Sequence, residues 1–327
     1  MPISRRMLLT TLAASPLAML LPRSAFAAYP DKPIRFICPF AAGGNADLVA
    51  RLMGEGMSPS LGQAIIVEDR AGAGGSLGAA QVASSPADGY TLLVGSNGPL
   101  TVNPFVQAKL GYDPLKDFVA VGLANLAPHA IVLNDAVPAK SVAELVALSK
   151  KQQVTLGTSG VGSASHLTLA RFNQATGANI THVPYRGGGA LVPDVLAGTI
   201  SGAMTEMSTL LQQHGKGKVH ILAVASAKRS TQAPDVPTMI ESGVKDFTAA
   251  SYVGLVAPAK TPPEVVAMLE KALIKALADK KIQDRFIITG AELVPEALQT
   301  SKGFAAYIQK EYDNSKEAAK LAGLKPE

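Results

Sequence analysis

The chain has 327 residues, 17% of them charged and 5% aromatic, with no Trp, one Cys and a formal net charge of +5. That length exceeds one ordinary hydrophobic core and predicts two lobes. The lone Cys38 excludes an internal disulfide, the shortage of aromatics argues against a sugar-stacking site, and no run of Lys and Arg interleaved with aromatics supports nucleic-acid binding.

In chain order, Arg5-Arg6 opens a basic start. Residues 7–21 are apolar apart from small polar residues and Pro16, and Ala25-Phe26-Ala27 puts small side chains where a signal peptidase reads. These are the parts of a bacterial export signal, with cleavage expected after Ala27; the arginine pair suggests the twin-arginine route, with the general secretory route as the alternative. A membrane anchor fits less well, because a spanning helix needs about 20 apolar residues. No later segment is apolar enough, so no membrane insertion is expected. Removing residues 1–27 takes away three arginines and no acid, leaving 27 basic against 25 acidic side chains and a net charge of +2.

Beyond the leader, β-rich runs alternate with helical ones. Strands are predicted at 34–39, 64–67, 90–95, 118–126, 130–133, 154–157, 180–184, 201–205, 220–225 and 254–257. Helices are predicted at 46–57, 78–84, 142–150, 164–176 and 190–197, from 261 onward, and at 280–288 and 302–321. Ser141 with Glu144 forms a capping box, and Gly177 and Gly198 are helix stops. Pro262-Pro263 suits a first helical turn, where a missing N–H costs nothing. The β-α alternation predicts an α/β protein with parallel, doubly wound sheets. Cys38, inside an apolar strand, reads as a small core residue rather than a reactive thiol.

The glycines carry the functional signal. Four loops put Gly, Ser or Thr between a strand and a helix: Pro39 to Asp47, Gly95-Ser96-Asn97-Gly98, Gly157 to His166, and Pro184-Tyr185-Arg186-Gly187-Gly188-Gly189. Such places lie at the carboxyl ends of strands, where α/β sheets bind ligands. A helix N-terminus there offers free N–H groups and a partial positive charge, which suits an anion. Micromolar binding needs about −8 kcal/mol. Hydrogen bonds to a charged group contribute about 1.5–3 kcal/mol each, so four or five would suffice.

Enzyme motifs fail on spacing. Gly72-Ala73-Gly74-Gly75-Ser76-Leu77-Gly78 lacks the last glycine of a dinucleotide loop, Gly215-Lys216-Gly217-Lys218 is not a phosphate-binding Walker loop, and Gly157-Thr158-Ser159-Gly160-Val161 misses the last position of a nucleophile elbow. Ser163 and His166, three residues apart at a helix start, are the alternative: a secreted serine hydrolase, which would need an acid partner and an oxyanion hole. The plainer reading makes Ser163 an N-cap or ligand donor and His166 a pocket-edge group. No histidine pair has metal-ligand spacing, and neither metal nor cofactor is expected.

At these loops the sequence resembles the Bug family, the periplasmic solute-binding proteins of tripartite tricarboxylate transporters. The likeness runs from Tyr29-Pro30-Asp31-Lys32-Pro33-Ile34-Arg35 and Pro39-Phe40 through Val67-Glu68-Asp69-Arg70-Ala71-Gly72, Ala87-Asp88-Gly89-Tyr90 and Gly160-Val161-Gly162-Ser163. It continues in His182-Val183-Pro184-Tyr185-Arg186-Gly187, Asp235-Val236-Pro237-Thr238 and Ala257-Pro258-Ala259-Lys260-Thr261-Pro262-Pro263. The resemblance implies a type II periplasmic-binding fold, two doubly wound α/β lobes with a ligand cleft between them. Lobe 1 would comprise residues 28–127 and 249–327, and lobe 2 residues 128–248. It implies a monomer that captures a small organic carboxylate for a membrane permease of the same transporter type or for a signalling partner. First-lobe contacts would be Phe40, Ala42, Gly43, Gly44, Asp47, Ser96 and Asn97. Second-lobe contacts would be Thr158, Ser159, Ser163, His166, Tyr185 and Gly187, with Phe40 a wall and Tyr185 a hydroxyl donor. Asp47 alternatively caps its own helix, and Arg186 either reaches the ligand or faces solvent. One stretch departs from the family pattern: where many members carry Phe-Asp-Asn, this chain reads Thr205-Glu206-Met207. Thr205 and Glu206 therefore join the candidate site, Glu206 either accepting a hydrogen bond from a ligand amino or hydroxyl group or facing solvent.

Overall fold

The computed structural model describes residues 29–321. Its strands are β1 (Ile34–Cys38), β2 (Ile65–Asp69), β3 (Thr91–Ser96), β4 (Phe118–Asn134), β5 (Val154–Thr158), β6 (Ile180–Pro184), β7 (Gly202–Glu206), β8 (Val219–Val224) and β9 (Ala250–Pro258). Its helices are α1 (Asn45–Leu61), α2 (Ser76–Ala83), α3 (Val142–Ser149), α4 (Ala164–Thr176), α5 (Gly188–Ala197), α6 (Met207–Leu210), α7 (Pro263–Ala278), α8 (Lys280–Ile287), α9 (Glu296–Gln299) and α10 (Ser301–Leu321).

The strands follow the order β2-β1-β3-β9-β4-β7-β5-β6, with β8 also paired to β4. β1 is parallel to β2 and β3, and β5 to β6 and β7. The expected parallel sheets are thus present at the outer strands. The centre differs, because β4 and β9 run antiparallel to all their partners and make the sheets mixed.

The two strands predicted at 118–126 and 130–133 are one strand, the 17-residue β4. At about 3.3 Å per residue it extends roughly 55 Å and passes through both halves of the molecule. Its first half pairs with β9, from Phe118↔Pro258 to Pro128↔Ala250, and its second half pairs with β7 and β8. Pro128 sits where β4 changes partners, so its missing N–H interrupts neither ladder. The second crossing is Ala250 at the start of β9, with Ala249 bonded both to His129 and to Ala225.

Helices cover both faces of each sheet. In β1 the side chains of Ile34, Phe36 and Cys38 enter the core beneath α1 and α7, while Ile37 enters the opposite core with Leu93, Phe304 and Ile308. That two-residue alternation is the strand period itself. Through α7 and α10 the C-terminal helices return to the first sheet. In the second sheet, Leu156, Leu169, Phe172 and Met204 pack on one face and Leu191, Val195 and Met207 on the other. The local signals act as expected: Ser141 caps Glu144 N–H, and Gly177 and Gly198 end α4 and α5 at φ 66° and 75°.

Candidate functional site

β1, β5 and β6 end on the side where the two halves face each other. α1, α4 and α5 begin there, at Gly44, Ser163 and Gly187. Three helix N-termini therefore converge on one cleft. Gly44 carries no side-chain cap, and neither does Gly187, so the first amides of α1 and α5 keep their capacity for an anion.

The halves are closed on each other. Ala41 N–H donates across the cleft to Arg186 C=O over 2.9 Å. A Cβ on Gly189 would lie 2.0 Å from Ala42 O, and one on Gly74 would lie 2.2 Å from Val161 O. Some of the loop glycines thus serve backbone-to-backbone closure as much as ligand approach. Closure leaves an inner cavity of about 20 Å³. That is room for about one water, so a larger ligand requires the halves to part. Beside it lies an outer chamber of about 680 Å³ lined by Gly72–Gly75, Lys109, Tyr185 and Arg186, and Phe40 and Ser159 border both spaces.

Phe40, Gly44, Ser96, Ser159, Ser163 and Glu206 all border the inner cavity. Ala42, Gly43 and Gly187 shape it through the close backbone approach of the two loops. Asp47 takes the plainer of its two readings: it accepts from Gly43 N–H at 2.9 Å and forms an ion pair with Arg51 at 2.7 Å, bracing the first turn of α1. Asn97 does not line the inner cavity. Its Oδ1 accepts from Tyr252 N–H at 2.8 Å and its Nδ2 donates to Ala250 O, which pins β3 to the second crossing. Thr158 Oγ1 is 2.6 Å from His182 Nε2 and also accepts from Gly160 N–H, shaping its loop from within. Tyr185 O–H donates to Asp194 at 2.6 Å, and burial together with that carboxylate pushes its pKa up to about 12. Its ring borders the outer chamber while its hydroxyl serves α5.

Ser163 Oγ accepts from His166 N–H at 3.2 Å, capping α4. His166 Nδ1 accepts from Gly162 N–H at 3.3 Å, and the ring stacks on His182 at 4.2 Å between centroids. None of these contacts makes His166 a base for the Ser163 hydroxyl. Burial pushes the Cys38 thiol up, in keeping with a core residue.

The deep end of the cavity holds the largest surprise. Glu206, 7% exposed at the end of β7, accepts from Ser251 Oγ at 2.6 Å and from Thr205 Oγ1 at 3.1 Å. Ser251 Oγ in turn lies 2.8 Å from His129 Nε2. Thr168 Oγ1 lies 2.8 Å from His129 Nδ1 and 2.9 Å from Ala164 C=O. Burial pushes the His129 ring well below the ordinary histidine range, against the opposing pull of Glu206. Among the described residues, His129 at 4.0 Å is the only basic group paired with Glu206. Sequence reasoning reached Glu206 but missed Ser251 and His129, and also Asn45, which borders the inner cavity. Asn45 stands inside a flagged loop and could have been taken with it. Ser251 and His129 lie in strands and give no local signal.

Residues 49–324 match the family described as tripartite tricarboxylate transporter family receptor. BugT of Bordetella pertussis is 36% identical over 281 residues, 85% of this chain and 86% of its own. The chain belongs to the tripartite tricarboxylate transporter receptor family. The solved structure of the periplasmic binding protein BugD, 35% identical, superposes with a TM-score of 0.88 over 91% of this chain and 100% of its own. R. palustris Rpa4515, solved with adipate, is 30% identical with a TM-score of 0.87 over 91% and 100% of the two chains. Members of this receptor family are periplasmic binding proteins rather than enzymes, and the chain is a solute-binding protein of that kind with the two-lobed fold. The hydrolase alternative finds no support among them. The export signal expected at residues 1–27 lies outside the described residues. Among the described residues no group of three metal-ligating side chains is close enough to hold an ion, and no helix is long and apolar enough to cross a membrane.

Proposed function

We propose that this receptor captures a small organic carboxylate in the cleft between its lobes and presents it to a membrane permease of the tripartite tricarboxylate type. The observation that carries this reading is the convergence of the uncapped N-termini of α1 and α5 with that of α4 on one enclosed space. The carboxylate is held by the amides of Gly44, Gly187 and Gly188 and by the hydroxyls of Ser96, Ser159 and Ser163, with Phe40 as a wall. Asp47, Asn97, Thr158, His166 and Tyr185 hold these loops in place. The lobes divide near residues 127 and 249, at the two crossings, and opening there admits the ligand. The mature monomer begins after Ala27, exported by the twin-arginine or the general secretory route.

A thermal-shift screen of the purified protein against organic acids tests the reading. A ligand at 100 times its Kd stabilises the folded state by about 2.7 kcal/mol. No shift with any acid at millimolar concentration would overturn it. Adipate, the ligand named with the R. palustris relative, is a rational first probe.

A further inference from the structure

Glu206 is a buried carboxylate in a cavity otherwise built to receive a carboxylate. It borders that cavity together with Gly188, the first residue of α5, and a Cβ on Gly188 would sit 3.5 Å from Glu206 Oε2. Ser251 and Thr205 each donate one hydrogen bond to it. An ionised carboxylate has about four lone-pair sites, so half of its accepting capacity remains. No Lys or Arg among the described residues pairs with it; its one basic neighbour is the desolvated His129 ring at 4.0 Å. A buried charge is costly unless it is paired and hydrogen-bonded. The two donors hold Glu206 in place without neutralising it.

The cavity therefore presents two opposite recognition elements side by side. The helix N-termini call for an anion, and Glu206 calls for a cation that donates hydrogen bonds. Resting on the receptor reading above, we infer that Glu206 is an ammonium-recognition subsite and that the ligand is a small amino acid, its carboxylate at the helix N-termini and its amino group on Glu206. The inner cavity is small, so the two groups are separated by few carbons, and the rest of the ligand extends past Phe40 into the outer chamber. A diacid of the same length would set its second carboxylate against Glu206, a like-charge contact in a desolvated place.

A matched panel tests this by calorimetric titration. Alanine, β-alanine and 4-aminobutanoate are each compared with the diacid of matching length, malonate, succinate and glutarate, with adipate and malate as general carboxylate probes. The wild type is expected to bind at least one amino acid ten times more tightly than its matched diacid. Glu206→Gln is expected to cut that ratio at least tenfold, while keeping a cooperative melt. If Glu206→Gln does not fold, Glu206→Asp, which withdraws the charge by one methylene, is expected to lower the ratio without inverting it. The inference is overturned if a diacid binds the wild type as tightly as its amino partner, or if neither variant moves the ratio. It is also overturned if adipate or malate binds while every amino acid is silent, an outcome that leaves the receptor reading standing. Silence toward every acid removes both.

Discussion

Ser251 Oγ donates to Glu206 Oε1 over 2.6 Å, joining the start of β9 to the end of β7 across 45 residues of sequence. Both ends are buried, and both lie beside the crossings between the lobes. Removing this donor leaves Glu206 with one protein hydrogen bond. A hydrogen bond to a charged group contributes about 1.5–3 kcal/mol, so Ser251→Ala should lower unfolding stability by roughly that amount. Urea denaturation measures it, and a change under about 0.5 kcal/mol would show that the bond is not formed in solution.

Gly189→Ala tests lobe closure. The added Cβ would meet Ala42 O at 2.0 Å, a contact with backbone that no rotamer relieves. Gly189 lies within α5, where alanine is the better helix former, so the second lobe should keep its stability. The variant is expected to lose at least tenfold in ligand affinity, about 1.4 kcal/mol, and to scatter X-rays as a more open particle than the wild type. Unchanged affinity would mean that the liganded state does not bring these two backbones together.

Ser163→Ala separates the cap from the nucleophile. Loss of the N-cap of α4 should cost about 1 kcal/mol. Neither wild type nor variant should hydrolyse a broad ester panel. Turnover by the wild type that vanishes in the variant would restore the enzyme reading.

The folded protein should lose stability as pH falls from about 6.5 toward about 4. Burial, with a smaller contribution from His166, lowers the His182 pKa to about 4, and burial also lowers that of His129. A base whose pKa is depressed on folding binds its proton more readily in the unfolded chain, so its contribution is complete above the unfolded pKa of about 6.5 and is lost below it. Melting temperatures measured from pH 7.5 to 4 should fall through this window. The fall should be shallower in His182→Gln; an equal slope in wild type and variant would assign the effect to other groups.

Much of the site's outline was legible in the sequence because its signals are local. Gly43-Gly44, Gly187-Gly188-Gly189 and Ser163 declare strand-to-helix turns within a few residues, and the helix N-termini follow from them. Ser141, Gly177 and Gly198 set helix ends for the same reason. The roles of particular side chains were not legible. Asn97, expected at the ligand, holds Tyr252, and the Tyr185 hydroxyl, expected to donate to the ligand, serves Asp194. A short polar side chain reads the same whether it faces a ligand or another loop, because its partner is not its neighbour in sequence.

By itself, then, the sequence determined the elements, the turns that put helix N-termini at strand ends, the family, and the presence of an acid at Glu206. Tertiary structure alone decided that β4 is a single strand through both lobes, that Gly189 meets Ala42, and that Ser251 stands between Glu206 and His129. The physical reason is range. Capping and turn formation act over three or four residues, whereas the Ser251–His129 contact spans 122. No local propensity encodes such a pairing; it exists only once both sheets have packed around their shared strand.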